Sequence, residues 1–158
     1  LASPKYLYLA YYGIQTHRAI ENYRISGILA HPRLICAMGM IEKGAARANL
    51  ESKPTDANRS NATQRTAQEV IKGKWNGEVV VDVYQAGAAV SFHANASEVI
   101  ANRAIELLGG KRGDYALCDS NDLENCSQST NDVSPNAMRL ACLFLFDEVL
   151  RAVAELAK

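Results

Sequence analysis

The stretch Ala137-Met138-Arg139-Leu140-Ala141-Cys142-Leu143-Phe144-Leu145-Phe146 decides the fold. Its apolar side chains go almost all the way round a helix instead of along one stripe, and such a helix has to be buried on most sides. Leu143, Phe144, Leu145 and Phe146 cannot all face one small core, so oligomerisation is expected. Further on, Glu148, Arg151, Glu155 and Lys158 restore a polar stripe in which opposite charges meet at helical spacing. The helix shows no stop signal before the last residue. It therefore reads as the start of a long bundle helix, either in part of a larger chain or in a chain that leans on neighbouring subunits.

Immediately upstream, Ser127-Gln128-Ser129-Thr130-Asn131-Asp132 crowds hydroxyls and amides together. Ser134 is the expected N-cap of the final helix and Pro135 its first residue. Neutral donors are thus gathered at a helix N-terminus, where amide groups without intrahelical partners and the positive end of the dipole attract a carboxylate. From composition alone the ordinary reading is a polar cap and loop; the functional one is an anion site.

Working back towards the N-terminus, Ile100, Ala104, Leu107 and Leu108 mark a helix, with Ser97 as a candidate N-cap and Gly109 as C′ residue. Residues 79–84 are β-branched and aromatic and predict a short strand. Gly87 follows at once and no hairpin partner is evident, so an isolated extended piece is expected. A weaker helix runs through Val70 and Ile71 and is closed by Gly73 and Gly77. The polar stretch 51–61, with Pro54, Asp56, Asn58 and Asn61, reads as a loop before it. Leu34, Met38, Ile41, Ala45 and Ala48 recur at helical spacing behind Pro32 and predict an amphipathic helix ending near Leu50. Residues 1–30 have no sustained period and predict an extended or turn-rich leading segment.

Composition narrows the function. The 158 residues suit one domain with a real core. Seventeen basic against seventeen acidic residues leave no excess of positive charge for neutralising phosphates, so no nucleic-acid partner is expected. The longest apolar run, 140–146, is far shorter than the roughly 20 residues that cross a bilayer, and no basic-then-apolar signal pattern opens the chain. A soluble, cytoplasmic protein without a membrane partner is the expectation. Cys36, Cys118, Cys126 and Cys142 stand well apart with no C-x-x-C pair, which argues against a zinc or redox site and for reduced thiols.

Three segments carry a family resemblance. S-Q-S-T-N-D at 127–132 is similar to the signature with which aspartases bind the substrate β-carboxylate; fumarases usually read S-Q-S-S-N-D there. Gln85-Ala86-Gly87-Ala88-Ala89-Val90-Ser91, then Asn95 and Glu98-Val99-Ile100-Ala101-Asn102-Arg103, resemble Q-x-G-A-G-[T/V]-S-x-x-M-N-x-N-E-V-x-A-N-R. Tyr11-Tyr12-Gly13-Ile14-Gln15-Thr16, Arg18-Ala19 and Glu21-Asn22 resemble Y-Y-G-x-x-T-x-R-A-x-E-N. With His31-Pro32-Arg33-Leu34-Ile35 and Gly113-Asp114-Tyr115 between them, they span nearly the whole chain in family order. The chain resembles the N-terminal portion of an aspartase/fumarase family member, with the aspartase pattern favoured.

The resemblance implies a mainly α fold: an N-terminal lyase domain over residues 1–131 with a short strand, then the first helix of a long central bundle over 132–158. It implies a homotetramer whose sites collect segments from three subunits, acting on a small dicarboxylate, with no cofactor and no metal assigned. The implied reaction is elimination of ammonia from L-aspartate to give fumarate. Removing the C3 proton puts a second negative charge on the β-carboxylate, and fixed neutral donors can favour that state over the ground state. On this reading Ser129 and Thr130 hold the β-carboxylate, Asn131 contacts the carboxylate or the leaving amine, and Ser91 is a contact on the second side. His93, Arg18 and Asn95 are further candidates. His93 stands where asparagine is usual and is either a proton carrier or a structural hydrogen-bonding group, with the structural role preferred. Arg18 either faces a carboxylate or pairs with Glu21, the latter preferred; His17 reads as a solvated side chain.

The family's general-base serine and its α-carboxylate lysine lie on a loop, G-S-S-x-M-P-x-K-x-N, that does not occur in these residues. The chain alone is therefore expected to be inactive. Val90 stands where many members have a substrate-binding threonine, and Leu123 and Glu124 replace the histidine and valine of N-D-H-V-N. Ala94, Ser97, Ser120 and Asn136 depart from the pattern at positions read as packing or turn residues. The alternatives are fumarate hydratase, the same elimination with water leaving, and a non-catalytic helical assembly domain.

Overall fold

The computed structural model describes residues 9–52, 56–119 and 128–158. The readings attached to Pro54, Ser120, Leu123, Glu124, Cys126 and Ser127 lie outside these residues. Five α-helices dominate: α1 (Ile14–Asn22), α2 (Pro32–Ser52), α3 (Ala57–Ile71), α4 (Val90–Leu107) and α5 (Thr130–Leu156). Short 3-10 turns stand at Asn76–Glu78 and Gly87–Ala89. The fold is mainly α, as expected. The strand expected over residues 79–84 reduces to one antiparallel bridge, Leu29 to Asp82, with Val83 N–H donating to the Ile28 carbonyl at 2.9 Å.

Helix α2 is the hub. It packs along α3 on one side and α5 on the other and also touches α4; α3 and α1 pack against α4. The main core gathers Ile35, Met38, Val70, Phe92, Ile100 and Val133. A smaller cluster holds Ala62, Ala104, Ile105 and Cys118. Burying a side chain such as Ile35 or Ile100, each 1% exposed or less, contributes roughly 1.5–3 kcal/mol. The buried face of α2 is turned from the expected stripe: Ile35, Met38, Glu42, Ala46 and Asn49 face inward, whereas Leu34, Ile41 and Ala45 are half-buried and Ala48 is exposed. Being gripped from two sides, α2 buries the face between its neighbours. A charged residue, Glu42, thereby lies in the core.

Several helix ends differ from expectation, each for a capping reason. The leading segment contains α1, whose cap is not local: Glu98 of α4 accepts from the N–H groups of Gly13, Gln15 and Thr16 and from Thr16 Oγ1. A Cβ on Gly13 would stand 2.6 Å from Tyr115 Oη and 2.7 Å from Glu98 Oε1, so only glycine admits this approach. Helix α3 starts within the expected loop, at Ala57, because Asp56 accepts from Asn58 N–H at 2.8 Å and caps it. Helix α4 begins seven residues before Ser97; that serine lies inside it and donates to the His93 carbonyl at 3.0 Å. At its far end Gly109, at φ 84°, is the C′ residue as expected. Its N–H reaches Glu106 O at 3.0 Å and that of Gly110 reaches Ile105 O at 2.9 Å, the two bonds of a Schellman end.

Helix α5 starts at Thr130, five residues before Pro135. Ser129, not Ser134, is its cap: Ser129 Oγ accepts from Asn131 N–H at 3.2 Å, and Asp132 Oδ1 accepts from Ser129 N–H at 3.0 Å, forming a capping box. Ser134 is buried inside the helix and Pro135 is internal. Buried residues on α5 end at Ala141. Beyond it Leu143, Phe146, Val149, Leu150, Val153 and Leu156 are exposed, Leu143 at 66% and Leu156 at 90%. Of the expected polar stripe, Glu155 pairs with Lys158 at 2.7 Å and Glu148 approaches Arg33 at 3.9 Å, while Arg151 donates to the Asp147 carbonyl. No helix among the described residues is long and apolar enough to cross a membrane. Cys36 and Cys142 are free thiols.

Candidate functional site

The first turns of α4 and α5 are tied together by one side-chain bond. His93 Nδ1 lies 2.7 Å from Thr130 Oγ1. Behind the imidazole, His93 Nε2 lies 3.0 Å from Glu42 Oε1 of α2. Glu42 is 0% exposed and His93 4%. Three helices thus contribute one residue each to a chain of polar groups leading from the core to the N-terminus of α5.

At that N-terminus the backbone donors that sequence reasoning left free for an anion are taken by the cap, so the groups still turned outward are side chains. Ser129 Oγ takes the Asn131 N–H, and the Ser129 carbonyl takes those of Asp132 and Val133, both at 3.0 Å. With its oxygen already accepting, the Ser129 hydroxyl keeps its proton to donate outward. Ser129 and Asn131 are exposed and Thr130 is half-buried. The positive end of α5 stands behind all three.

The start of α4 is built under strain. Ala88 and Ala89 both adopt left-handed backbone, φ 56° and 58°, a conformation that costs an L residue roughly 1–2 kcal/mol. The resembling pattern has glycine at the position of Ala89. The turn is held by Gln85, whose Oε1 accepts from Phe92 N–H and whose Nε2 donates to the Asp82 carbonyl at 3.1 Å. Ser91, two residues before His93, is buried. Val90 is 47% exposed and offers no hydroxyl. A mainly apolar groove of about 350 Å³ runs between this turn, α2 and α5, past Leu34, Val83, Phe92, Ser134 and Met138.

Ser129, Thr130, Asn131 and His93 are therefore brought together, with Ser91 in the same turn of α4 as His93. Asn95 is engaged elsewhere. It is 0% exposed, accepts from Val80 N–H at 2.7 Å and donates to Glu78 O at 2.8 Å, which pins the extended segment. Arg18 is exposed on α1 and does not pair with Glu21, whose carboxylate lies 3.7 Å from His17 Nε2. Sequence reasoning missed Glu42. The clue was available: a lone carboxylate at i+4 from Met38 on the most apolar helix face requires a buried partner.

Two clusters away from α5 carry displaced pKa values. Asp82, the residue that bridges to Leu29, is pushed up by loss of solvent. Bonds from the N–H groups of Tyr84, Ser26 and Gly27 and from the Ser26 hydroxyl outweigh this and lower it to about 2. Tyr11, Glu106, Arg103 and Glu69 form a network that anchors the leading segment. Burial raises Glu69 and Glu106, but hydrogen bonds from Arg103, Trp75 and Lys74 to Glu69, and from Tyr11 and Arg103 to Glu106, bring both below the usual carboxylate value. Among the described residues no group of three or more His, Cys, Asp or Glu is arranged to hold a metal.

Comparison with known proteins agrees with this architecture. A family model described as lyase matches residues 9–158. An aspartate ammonia-lyase of a Bacillus species is 46% identical over 141 residues, 89% of this chain and 30% of the relative. A class II fumarate hydratase of Halobacterium salinarum is 48% identical over 134 residues, covering 85% of this chain and 28% of that protein. The crystal structure of a fumarate lyase:delta crystallin from Brucella melitensis superposes with a TM-score of 0.90 at 44% identity, over 93% of this chain and 35% of that one. The chain belongs to the aspartase/fumarase family of lyases. It spans about 30% of the length of the curated relatives it matches.

Proposed function

We propose that these residues form the β-carboxylate-binding wall of an aspartate ammonia-lyase, which eliminates ammonia from L-aspartate reversibly to give fumarate. The observation that carries this reading is the His93 to Thr130 bond, because it fixes S-T-N of the resembling motif at a helix N-terminus beside the α4 turn. In this reading Ser129 and Thr130 donate to the β-carboxylate, Asn131 meets the carboxylate or the amine, and Ser91 closes the second side. As the C3 proton leaves, negative charge grows on the carboxylate, and pre-aimed neutral donors at the positive end of α5 stabilise it without reorganising.

The base serine and the α-carboxylate lysine would come from a loop outside residues 1–158, and the rest of the site from other subunits of a homotetramer. The exposed apolar face of α5 supports such an assembly. Residues 132–158 would open its central helical bundle.

The second reading, fumarate hydratase, is favoured by the 48% identity to the Halobacterium enzyme. The test is an assay of the intact protein carrying this chain, with aspartate and with malate in parallel, following fumarate by ultraviolet absorbance. Fumarate from aspartate and none from malate is expected. The reverse establishes the hydratase, and silence with both leaves a non-catalytic assembly domain.

A further inference from the structure

We propose that Glu42 and His93 are positioning residues that set the direction of the Thr130 hydrogen bond, so that dicarboxylate binding takes up one proton at His93. This rests on the reading above, in which Thr130 meets the substrate carboxylate.

The chemistry follows from what each atom can do. Glu42 as a carboxylate only accepts, so Nε2 facing it at 3.0 Å carries a proton. In neutral His93 that leaves Nδ1 without one, and Nδ1 at 2.7 Å accepts the Thr130 O–H. The hydroxyl proton is then spent inward, and Thr130 offers a ligand only lone pairs. When Nδ1 takes a proton from solvent it becomes a donor to Thr130 Oγ1. The Thr130 O–H turns outward and can donate to a carboxylate oxygen. One covalent N–H bond forms, at Nδ1, with a proton released by solvent, and otherwise only the directions of hydrogen bonds change.

Burial makes the two states unequal. With His93 neutral and Glu42 ionised the core holds an uncompensated negative charge, and Glu42 Oε2 has no partner among the described residues. Such a charge is costly. A dicarboxylate arriving at the α5 N-terminus adds negative potential and favours the imidazolium, which also neutralises Glu42. Glu42 is the charged group seen to contact the ring among the described residues. Thr130 of α5 supplies a neutral contact, and Asp132 of α5 is turned to Ser129 N–H. The turn Gly87–Ala89 has no titratable side chain. Helix α1 meets α4 at Glu98, and Glu69 of α3 meets it at Arg103, both places farther along α4.

The experiment is calorimetric titration of the intact protein with succinate across pH, in buffers of different ionisation enthalpy. Uptake of one proton is expected, with affinity rising by up to about tenfold per pH unit as pH falls. His93→Asn abolishes the uptake while retaining binding. Glu42→Gln, which keeps the shape but removes the charge, moves the pH dependence to more acid values. Nitrogen NMR of labelled histidine in the unsubstituted protein supplies a check that needs no variant: one imidazole gains its second N–H when succinate is added. Binding without proton uptake, or uptake that His93→Asn leaves intact, or histidine signals unmoved by succinate, overturns this inference alone. Failure of succinate to bind overturns the functional reading and this inference with it.

Discussion

Glu98 of α4 accepts the Thr16 hydroxyl of α1 at 2.6 Å, across 82 positions of sequence. The same carboxylate takes three backbone N–H groups, so one buried side chain closes the N-terminus of a helix in another part of the chain. Glu98→Gln replaces an acceptor by a donor at that junction and strands at least one N–H. A loss of about 2–4 kcal/mol is expected. Urea unfolding of the intact protein at fixed concentration measures it, and an unchanged midpoint would show that α1 holds itself.

Ala89→Gly should stabilise. Glycine accepts φ 58° at little steric cost, whereas its greater freedom when unfolded takes back part of the gain. The net is about 0.5–1 kcal/mol, read as a rise in thermal midpoint. A fall would mean that the Ala89 methyl packs better than its backbone suffers.

Asp82 provides a pH test with a definite sign. Its carboxyl is depressed from 3.8 to about 2 in the folded chain, so the stability it contributes is present above about pH 4 and is lost as pH falls through 2. Asp82→Asn should be less stable than the parent at neutral pH, and the gap between their urea midpoints should close between about pH 4 and about pH 2. A gap independent of pH would assign the effect to shape instead of charge.

On the ammonia-lyase reading, Thr130→Val removes one pre-aimed donor. The expected loss in kcat/KM for aspartate is on the order of 10²-fold, with Thr130→Ser close to the parent. Steady-state kinetics of the intact enzyme decide this, and full activity in the valine variant would place the carboxylate elsewhere.

The outer half of α5 invites a simpler measurement. Phe146 is 55% exposed and stands among Leu143, Val149 and Leu150. On the tetramer reading, Phe146→Glu should lower the mass of the intact protein's assembly in sedimentation velocity, while circular dichroism keeps most of its helical signal. An assembly of unchanged mass would show that this face is not an interface.

What could be read from the residues depended on how local the cause was. Helix α2 behind Pro32 and the Gly109 ending of α4 were legible because neighbours in sequence produce them. Helix α1 was not, since its cap comes from Glu98. The N-terminus of α5 was misplaced by five residues because Ser134 with Pro135 imitates a cap, whereas Ser129 with Asp132 makes the real one. For the site, the motif at 127–132 drew attention to Ser129, Thr130 and Asn131, but the dyad behind Thr130 depends on which residue of α2 faces α4. Periodicity placed that face one residue off and so passed over Glu42.

The matched motifs are also largely in contact with one another. Asn102 donates to the Tyr11 carbonyl, Glu98 receives Gly13 and Thr16, and Asn95 holds the segment leading to Gln85. These recognisable residues are thus joints of a frame within this chain, and relatives named aspartate ammonia-lyase and fumarate hydratase match it at similar identity, 46% and 48%. On the proposed reading these joints do not touch the leaving group, so substitution of Tyr11, Gly13, Asn95 or Glu98 should change stability before it changes the choice between aspartate and malate.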